Sequence, residues 1–330
     1  MIVDQTDGKT PMPRLGYLLP TRERVMEGRP ETASLLALAE RAEALGFDSV
    51  WVGDSLLARP RHDPLTLLAA VAARTRKVEL GTAVLLPALR NPVVLAQQVA
   101  TLDRIAEGRV ILGVGIAADL PNIRAEFEAA GVTFEKRVGR MVEGLALCRA
   151  LWTGKPVEWP RSNEGGKEGR WKVTSSVLGP TPHRPGGPPI WVAGAVASAR
   201  ERIGRLYDGW FPNSPSVAEY APQWADVKQA ARAAGRDPDT LTGAMYLTLA
   251  IDDDATRADT RLNAYLEHYY GQPAGLLRQR QMSYAGPAAG AAAWLKSYAD
   301  AGASHLVLRF AGDHERHLET AARLRRDLGW

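Results

Sequence analysis

The chain has 330 residues, of which 45% are hydrophobic and 24% charged, with a formal net charge of +4. Such values are ordinary for a soluble globular protein, and no stretch approaches the roughly 18 uninterrupted apolar residues that a membrane span needs. Arginines are interleaved with acids along helical stretches, so the basic stripe with stacking aromatics that nucleic-acid binding would require is missing.

Met1–Pro13 is polar and lacks the basic-plus-apolar pattern of an export signal. A single cysteine, Cys148, excludes an intrachain disulfide, so a cytoplasmic location is expected. Cys148 falls at an apolar position of a helical run and reads as a packing residue. Leu15–Pro20 is a short apolar run closed by proline, a first strand. From Glu31 to Gly46, residues Leu35, Leu38, Ala39, Ala42 and Leu45 fall at helical spacing, and Gly46 supplies the stop. Ser49–Gly53 is a second strand. Asp63 then caps a helix with Pro64 at its first position, running to about Arg76. Val78–Leu86 is a third strand, Asn91-Pro92 repeats the cap-and-proline start, Gly108 ends that helix, and Arg109–Val114 is a fourth strand.

The alternation then pauses. Phe134–Trp152 is a long amphipathic helix, and residues 154–189 are rich in Gly, Pro and charge. Trp159 and Trp171 flank Ser162–Gly169, which reads as a hairpin or a mobile loop, and an insertion of this length after the fourth strand has the size of a lid. Alternation resumes with strand five at Ile190–Ala193, a helix from about Ser198, strand six at Gly209–Pro212 and a helix from Val217 to Ala234. Strand seven at Leu241–Ile251, a helix over Asp254–Tyr270, a loop through Gly271–Gly286 and a further helix follow. Strand eight at His305–Phe310 and a closing helix complete the chain. Short crossovers between successive strands demand a parallel sheet. The predicted fold class is α/β: a (β/α)8 TIM barrel spanning residues 1–330 as one domain, with the 154–189 insertion between strands four and five. A doubly wound open sheet is the alternative if one short strand is miscounted.

In such a barrel the site lies at the C-terminal ends of the strands. No His/Cys/Asp/Glu cluster has metal-ligand spacing, the Gly113-Val114-Gly115 segment lacks the third glycine of a dinucleotide fingerprint, and no G-x-S-x-G elbow is present. The missing hydrolytic constellation favours a cofactor that brings its own chemistry. The small residues Gly194, Ala195, Val196 and Ala197, leading into Ser198 at a helix start, would let backbone N–H groups approach a phosphate, although a tight turn needs small residues too. Asp54 is the best polar group at the mouth: it either donates and accepts a proton or orients a loop by hydrogen bonding. His62, in the same loop, is a second proton-transfer candidate or an exposed loop residue. Arg309 is a charge inside an otherwise apolar strand, where it must meet either an internal carboxylate or a bound anion such as a cofactor phosphate.

The sequence resembles the bacterial luciferase-like flavin-dependent oxidoreductases. The resemblance is carried by Gly46-Phe47-Asp48-Ser49-Val50-Trp51-Val52, Leu80-Gly81-Thr82-Ala83-Val84-Leu85-Leu86-Pro87, Arg90-Asn91-Pro92 and Ala100-Thr101-Leu102-Asp103-Arg104. It continues through Gly108-Arg109-Val110-Ile111-Leu112-Gly113-Val114-Gly115 and Asp208-Gly209-Trp210. It implies a barrel that binds FMN, or alternatively the deazaflavin coenzyme F-420, at the mouth. It also implies a non-proline cis peptide at Ala83–Val84 behind the ring, with Gly115 nearby, and the cofactor phosphate at the Gly194–Ser198 turn. Asn91 is either a polar contact near the ring or a helix cap. The chain departs from the family where a histidine often follows strand two, since the position reads Asp54-Ser55. It also departs where the family's deazaflavin-dependent sugar and alcohol dehydrogenases pair that histidine with a glutamate after strand four, since Ala118 stands there. Both losses argue against that dehydrogenase chemistry and leave deazaflavin binding open. Three functional readings follow. The first is a two-component monooxygenase that uses reduced FMN, supplied by a separate flavin reductase, and O2 on a small organic substrate. The second is an F-420-dependent hydride-transferring reductase or dehydrogenase, and the third a non-catalytic flavin-binding barrel. A homodimer is expected from the resemblance.

Overall fold

The computed structural model describes residues 12–160 and 169–330. Eight strands form its centre: β1 (Arg14–Leu18), β2 (Ser49–Val52), β3 (Glu79–Thr82), β4 (Val110–Val114), β5 (Ile190–Val192), β6 (Gly209–Trp210), β7 (Thr242–Ile251) and β8 (His305–Phe310). Each pairs in parallel with the next in chain order, β6 pairs with β7 through Gly209↔Thr242, and β8 returns to β1 through Val307↔Gly16. The ring is therefore closed, and the fold is the α/β barrel expected, not the open sheet.

The caps read from the sequence act as such. Asp63 accepts from the Thr66 N–H at 2.9 Å and Asn91 from the Val93 N–H at 2.9 Å, each with proline at the following position. A cap of this kind contributes about 1 kcal/mol to its helix. Two expectations are corrected. The third strand stops at Thr82 instead of Leu86: the Ala83–Val84 peptide is cis, Leu85 bridges across to Val114, and Pro87–Leu89 makes a 3-10 turn. The stretch after Gly271 is not simply a loop, for it holds a helix over Ala274–Arg280 and a strand over Ser283–Gly286 that lies parallel to the end of β7. Helices at Thr21–Met26 and Pro121–Ala129 are also present.

In the insertion, Val157–Trp159 and Val173–Ser176 pair as an antiparallel hairpin. Residues 161–168 of the connecting segment, and residues 1–11 on which the export-signal reading rests, lie outside the described residues. No helix among the described residues is long and apolar enough to cross a membrane.

Two apolar layers hold the barrel. Leucines, valines and alanines on the outer faces of the strands pack against the helices, and Cys148 is buried in this layer with its thiol toward the Pro92 carbonyl. Inside the ring, Leu18, Trp51, Ile111, Trp191, Phe211 and Val307 form a separate cluster. The Trp51 ring lies 4.9 Å from Phe211 and 5.5 Å from Trp191, so large aromatics plug the centre below the mouth. His305 belongs to this plug: its Nε2 meets Ser49 Oγ at 2.7 Å, and Trp51 Nε1 donates to the same oxygen.

Burial, with Arg14 nearby, pushes the His305 imidazole down to about 3 from 6.5. The unfolded chain protonates this histidine near 6.5 while the folded chain does not, so stability is lost as pH falls from 6.5 toward 3. Urea unfolding is expected to show a loss of about 2 kcal/mol from His305 between pH 7 and pH 5. His305→Gln, which still offers Ser49 a polar partner, should remove that share of the loss; an unchanged pH dependence would show that another group is responsible.

Candidate active site

A cavity of about 210 Å³ opens at the C-terminal ends of the strands. One wall is apolar and built of small groups: Ala83 and Val84 after β3, Ala117 and Ala118 after β4, and Ala193 after β5, with Phe211 beside them. The backbone that carries this wall is tied down, since Ala83 N donates to Val52 O, Leu85 N to Gly113 O and Gly115 N to Leu85 O, at 2.8–2.9 Å. The other wall is polar. It comes from β7, β8, the loop after β2 and the end of the Ala255–Tyr270 helix, which supply Tyr246, Arg309, Arg59, Arg61, Tyr269 and Tyr270.

Both carboxylates that reach the cavity are occupied by the protein. Arg90 grips Asp54 through both oxygens, at 2.5 and 3.0 Å, and the Leu86 N–H donates to the same carboxylate. The Asp54 side chain is 2% exposed and that of Arg90 14%. Arg90 also reaches Asp63 at 3.3 Å, so one guanidinium joins the loop after β2 to the turn after β3. Glu126, on the Pro121–Ala129 helix, accepts from Ser55 Oγ at 2.8 Å and from the N–H groups of Leu56, Leu57 and Ala58. Its role is to shape that loop, much as an acid caps a helix.

The cations are distributed differently. Arg309 is 1% exposed and has no carboxylate within ion-pair distance among the described residues. Its Nη1 donates to Tyr270 Oη at 2.7 Å, its Nη2 to Thr248 Oγ1 at 2.8 Å and to Gln281 Oε1 at 2.9 Å, and its Nε to Thr248 Oγ1 at 3.1 Å. The rings of Tyr246, Tyr265, Tyr269 and Tyr270 lie 5.0–5.4 Å away. Burial works against this charge, yet the tyrosines more than offset it and hold the guanidinium well above its ordinary value. Arg61 donates to Tyr269 Oη at 3.1 Å and to the Arg59 carbonyl, and Arg59 lies over the Tyr270 ring at 4.7 Å. The field of these cations is felt at Tyr270. Burial pushes its phenol up, but Arg309, with Arg59 and Arg61, overrides that and leaves it below 10, whereas burial leaves Tyr269 and Tyr246 above.

At the end of β5 the chain turns at Gly194 (φ +142°) into the Ala197–Leu206 helix. The N–H groups of Gly194, Ala195 and Val196 have no acceptor among the described residues, while Trp210 Nε1 and Arg200 Nη1 hold the carbonyls of Gly194 and Ala195. Ser198 caps nothing, which leaves its hydroxyl free to serve a ligand at this helix start.

The structure thus brings Asp54, Ala83, Val84 and Arg309 to the cavity, and sets Gly115 behind it and Gly194, Ala195 and Ser198 at its β5 rim. Asn91 is spent on the Val93 and Val94 N–H groups, which is the cap reading. His62 is not among the residues that line the cavity; its Nε2 meets the Pro30 carbonyl. Asp54 takes the loop-orienting alternative through Arg90. Of the two partners expected for Arg309, an internal carboxylate is not found among the described residues; its donors go to Thr248, Gln281 and Tyr270. Sequence reasoning passed over Arg59, Arg61, Tyr270 and Glu126. The Arg59-Pro60-Arg61 triplet after strand two was the available signal for the first pair. Removing the guanidinium that neutralises buried Asp54 is expected to be costly: Arg90→Ala should lose about 3–5 kcal/mol in urea unfolding. Asp54→Asn should lose less, because Arg90 keeps Asp63; equal losses would contradict the pairing argument.

Comparison with known proteins accords with this geometry. The family model described as "Luciferase-like monooxygenase" matches residues 12–329. An F420-dependent glucose-6-phosphate dehydrogenase of Amycolatopsis mediterranei (strain U-32) is 32% identical over 312 residues, covering 86% of this chain and 90% of that protein. Among solved structures, an F420-dependent secondary alcohol dehydrogenase in complex with an F420-acetone adduct superposes with a TM-score of 0.80 at 21% identity, covering 96% of this chain and 99% of the other. A monooxygenase from Streptomyces bottropensis gives a TM-score of 0.78 at 24% identity, covering 95% and 98%. These two share the fold. The match along nearly the whole chain places this protein in the luciferase-like monooxygenase family of oxidoreductase enzymes.

Proposed function

We propose that this enzyme uses the deazaflavin coenzyme and exchanges a hydride with a small organic substrate at the barrel mouth. The observation that supports the coenzyme class is the wall of small residues, Ala83, Val84, Ala117, Ala118 and Ala193, which leaves room for a tricyclic ring against the backbone. The choice of deazaflavin over the FMN expected first rests on the relatives, whose names include F420-dependent dehydrogenases, while FMN and a partner reductase have support only at the level of the family.

The residues present fit such a group. The unpaired N–H groups from Gly194 to Val196 and the Ser198 hydroxyl make a cradle for its phosphate at a helix N-terminus. When bound, the deazaflavin supplies the hydride acceptor or donor. The protein excludes water with the apolar wall and Phe211, and orients the substrate from the polar wall. A hydride leaving an alcohol carbon is accompanied by a proton, and the group placed to take it is Tyr270 as the phenolate, the form in which it no longer donates to Gln281 Oε1 and accepts from Arg309 Nη1. Asp54 is held by Arg90, Glu126 by the loop, and Tyr270 faces the cavity with its phenol acidified by Arg309.

Titrating the purified protein with each coenzyme and following fluorescence quenching tests the assignment. Binding of the deazaflavin is expected, and binding of FMN with none of the deazaflavin would overturn it. Gly194→Val places a branched side chain at a φ suited to glycine, where even a Cβ would come 3.1 Å from Ala199. Its coenzyme affinity is expected to fall about tenfold, or about 1.4 kcal/mol. Tyr270→Phe should lower kcat by about 10²-fold with little change in coenzyme affinity. In the oxidative direction the wild-type kcat/KM, which reports the free enzyme, should rise with pH through a value below 10, and that limb should vanish in the variant.

A further inference from the structure

The ion pairs of this protein leave one conspicuous remainder. Arg59, Arg61 and Arg309 converge on the Tyr269–Tyr270 corner of the cavity, and none has a carboxylate within 4.0 Å among the described residues. Among nearby arginines, Arg90 is matched with Asp54 and Asp63 and Arg124 with Asp119 and Glu135, whereas Arg22, 4.9 Å from the Tyr269 ring, has no ion pair among the described residues either. The two acids lining the same cavity are withdrawn from the cations, Asp54 by Arg90 and Glu126 by backbone N–H groups. Glu23, which accepts from Tyr265 Oη, is one acid whose field reaches Arg61. It offsets at most one of the three guanidinium groups, so the corner keeps an excess of positive charge in a poorly solvated place, where an uncompensated buried cation is costly.

The donors there are also unfinished. Arg309 uses four of its five N–H groups on Thr248, Gln281 and Tyr270, and Arg59 makes no side-chain hydrogen bond among the described residues. Arg61 Nη1 has no acceptor among the described residues and lies over Gly53, just after β2. A Cβ there would stand 2.0 Å from that nitrogen and 3.5 Å from the Ala83 carbonyl. Glycine at 53 thus lets a guanidinium extend across the mouth to the edge of the wall of small residues.

We propose that Arg59, Arg61 and Arg309 form an anion subsite that receives the acid group, carboxylate or phosphate, of the substrate. It rests on the reading of this mouth as the place where substrate meets coenzyme, and it adds the substrate's chemical class. The coenzyme phosphate has its own cradle at β5, three strands around the ring from Arg309 on β8. Guanidinium groups match the planar carboxylate and the phosphate fork alike. The tyrosine rings behind them exclude water, so each charge-assisted contact counts for more than at the surface.

The test uses the protein without coenzyme and three probes: benzoate, inorganic phosphate and neutral benzamide, followed by titration calorimetry. One or both anions should bind and benzamide should not, and the anion that binds identifies the acid group. Arg59→Gln/Arg61→Gln removes two partly buried charges, with the fold checked by circular dichroism. Anion affinity should fall about 100-fold, about tenfold per lost contact. Deazaflavin affinity of the double variant should stay within about threefold of wild type, since its phosphate contacts are untouched. Failure of both anions to bind, unchanged anion affinity in the variant, or an equal loss of deazaflavin affinity would each overturn the proposal, the last by giving the arginines to the coenzyme. Anion binding in a protein that binds no deazaflavin would sink the coenzyme reading and leave the subsite standing.

Discussion

Asp54 and Arg90 meet where the chain leaves β2 and where it returns from the cis turn after β3, and the other charges at the mouth take their meaning from this pair. The carboxylate is almost wholly buried and held by a fork of two nitrogens and the Leu86 N–H. Removing the arginine from such a pair is costly because it strands the buried carboxylate, whereas Arg90 without Asp54 would still keep Asp63. The acid that is most prominent in the sequence is thereby neutralised. It fixes the turn that presents Ala83 and Val84, and it cannot also serve as counter-ion to Arg59, Arg61 or Arg309.

The polar wall owes its position to an irregularity of the barrel. β7 is ten residues long, while β6 has only two. β6 covers the first part of β7, at Thr242 and Gly243, and the strand Ser283–Gly286 covers the last, from Thr248 to Ile251. Between them Tyr246 N donates to Pro212 O and Thr248 N to Met282 O, so the chain that departs after β6 is replaced along the same edge by a later segment. That segment brings Gln281 to Arg309, and the end of the Ala255–Tyr270 helix brings Tyr269 and Tyr270. A buried guanidinium is tolerated on β8 because three separate stretches of chain supply its acceptors and ring faces.

Much of this was legible in the sequence, and the limits have physical causes. The alternation of strands and helices, with Asp63-Pro64 and Asn91-Pro92 as starts, is local information, and the closed ring follows from it. Arg309 stood out because a charge in an apolar strand is conspicuous; its partners did not, since they lie 28 to 61 residues away. Glu126 was hidden for the same reason, its acceptor role being defined by N–H groups 68 to 70 residues earlier. The run Val78–Leu86 reads as one strand by periodicity, and only the family resemblance marked Ala83–Val84. Six-residue and seven-residue helices such as Thr21–Met26 and Ala274–Arg280 carry too few turns for a periodic signal.

The cation excess and the proton chemistry are coupled through Arg309. With the corner unfilled, its guanidinium acts on Tyr270 at 2.7 Å and favours the phenolate. An anion entering the corner weakens that field, so Tyr270 binds its proton more tightly when substrate is present than when it is absent. Linkage requires the reverse as well, since a phenolate at 270 competes with the anion for the same cations. Under the proposed hydride exchange, an arriving acid group would make the Tyr270 phenolate a stronger base in the oxidative direction. In the reductive direction the same contact would hold the proton on Tyr270. The chain without the family's histidine and glutamate can in this way obtain from a tyrosine and its arginines a proton affinity that the substrate itself adjusts.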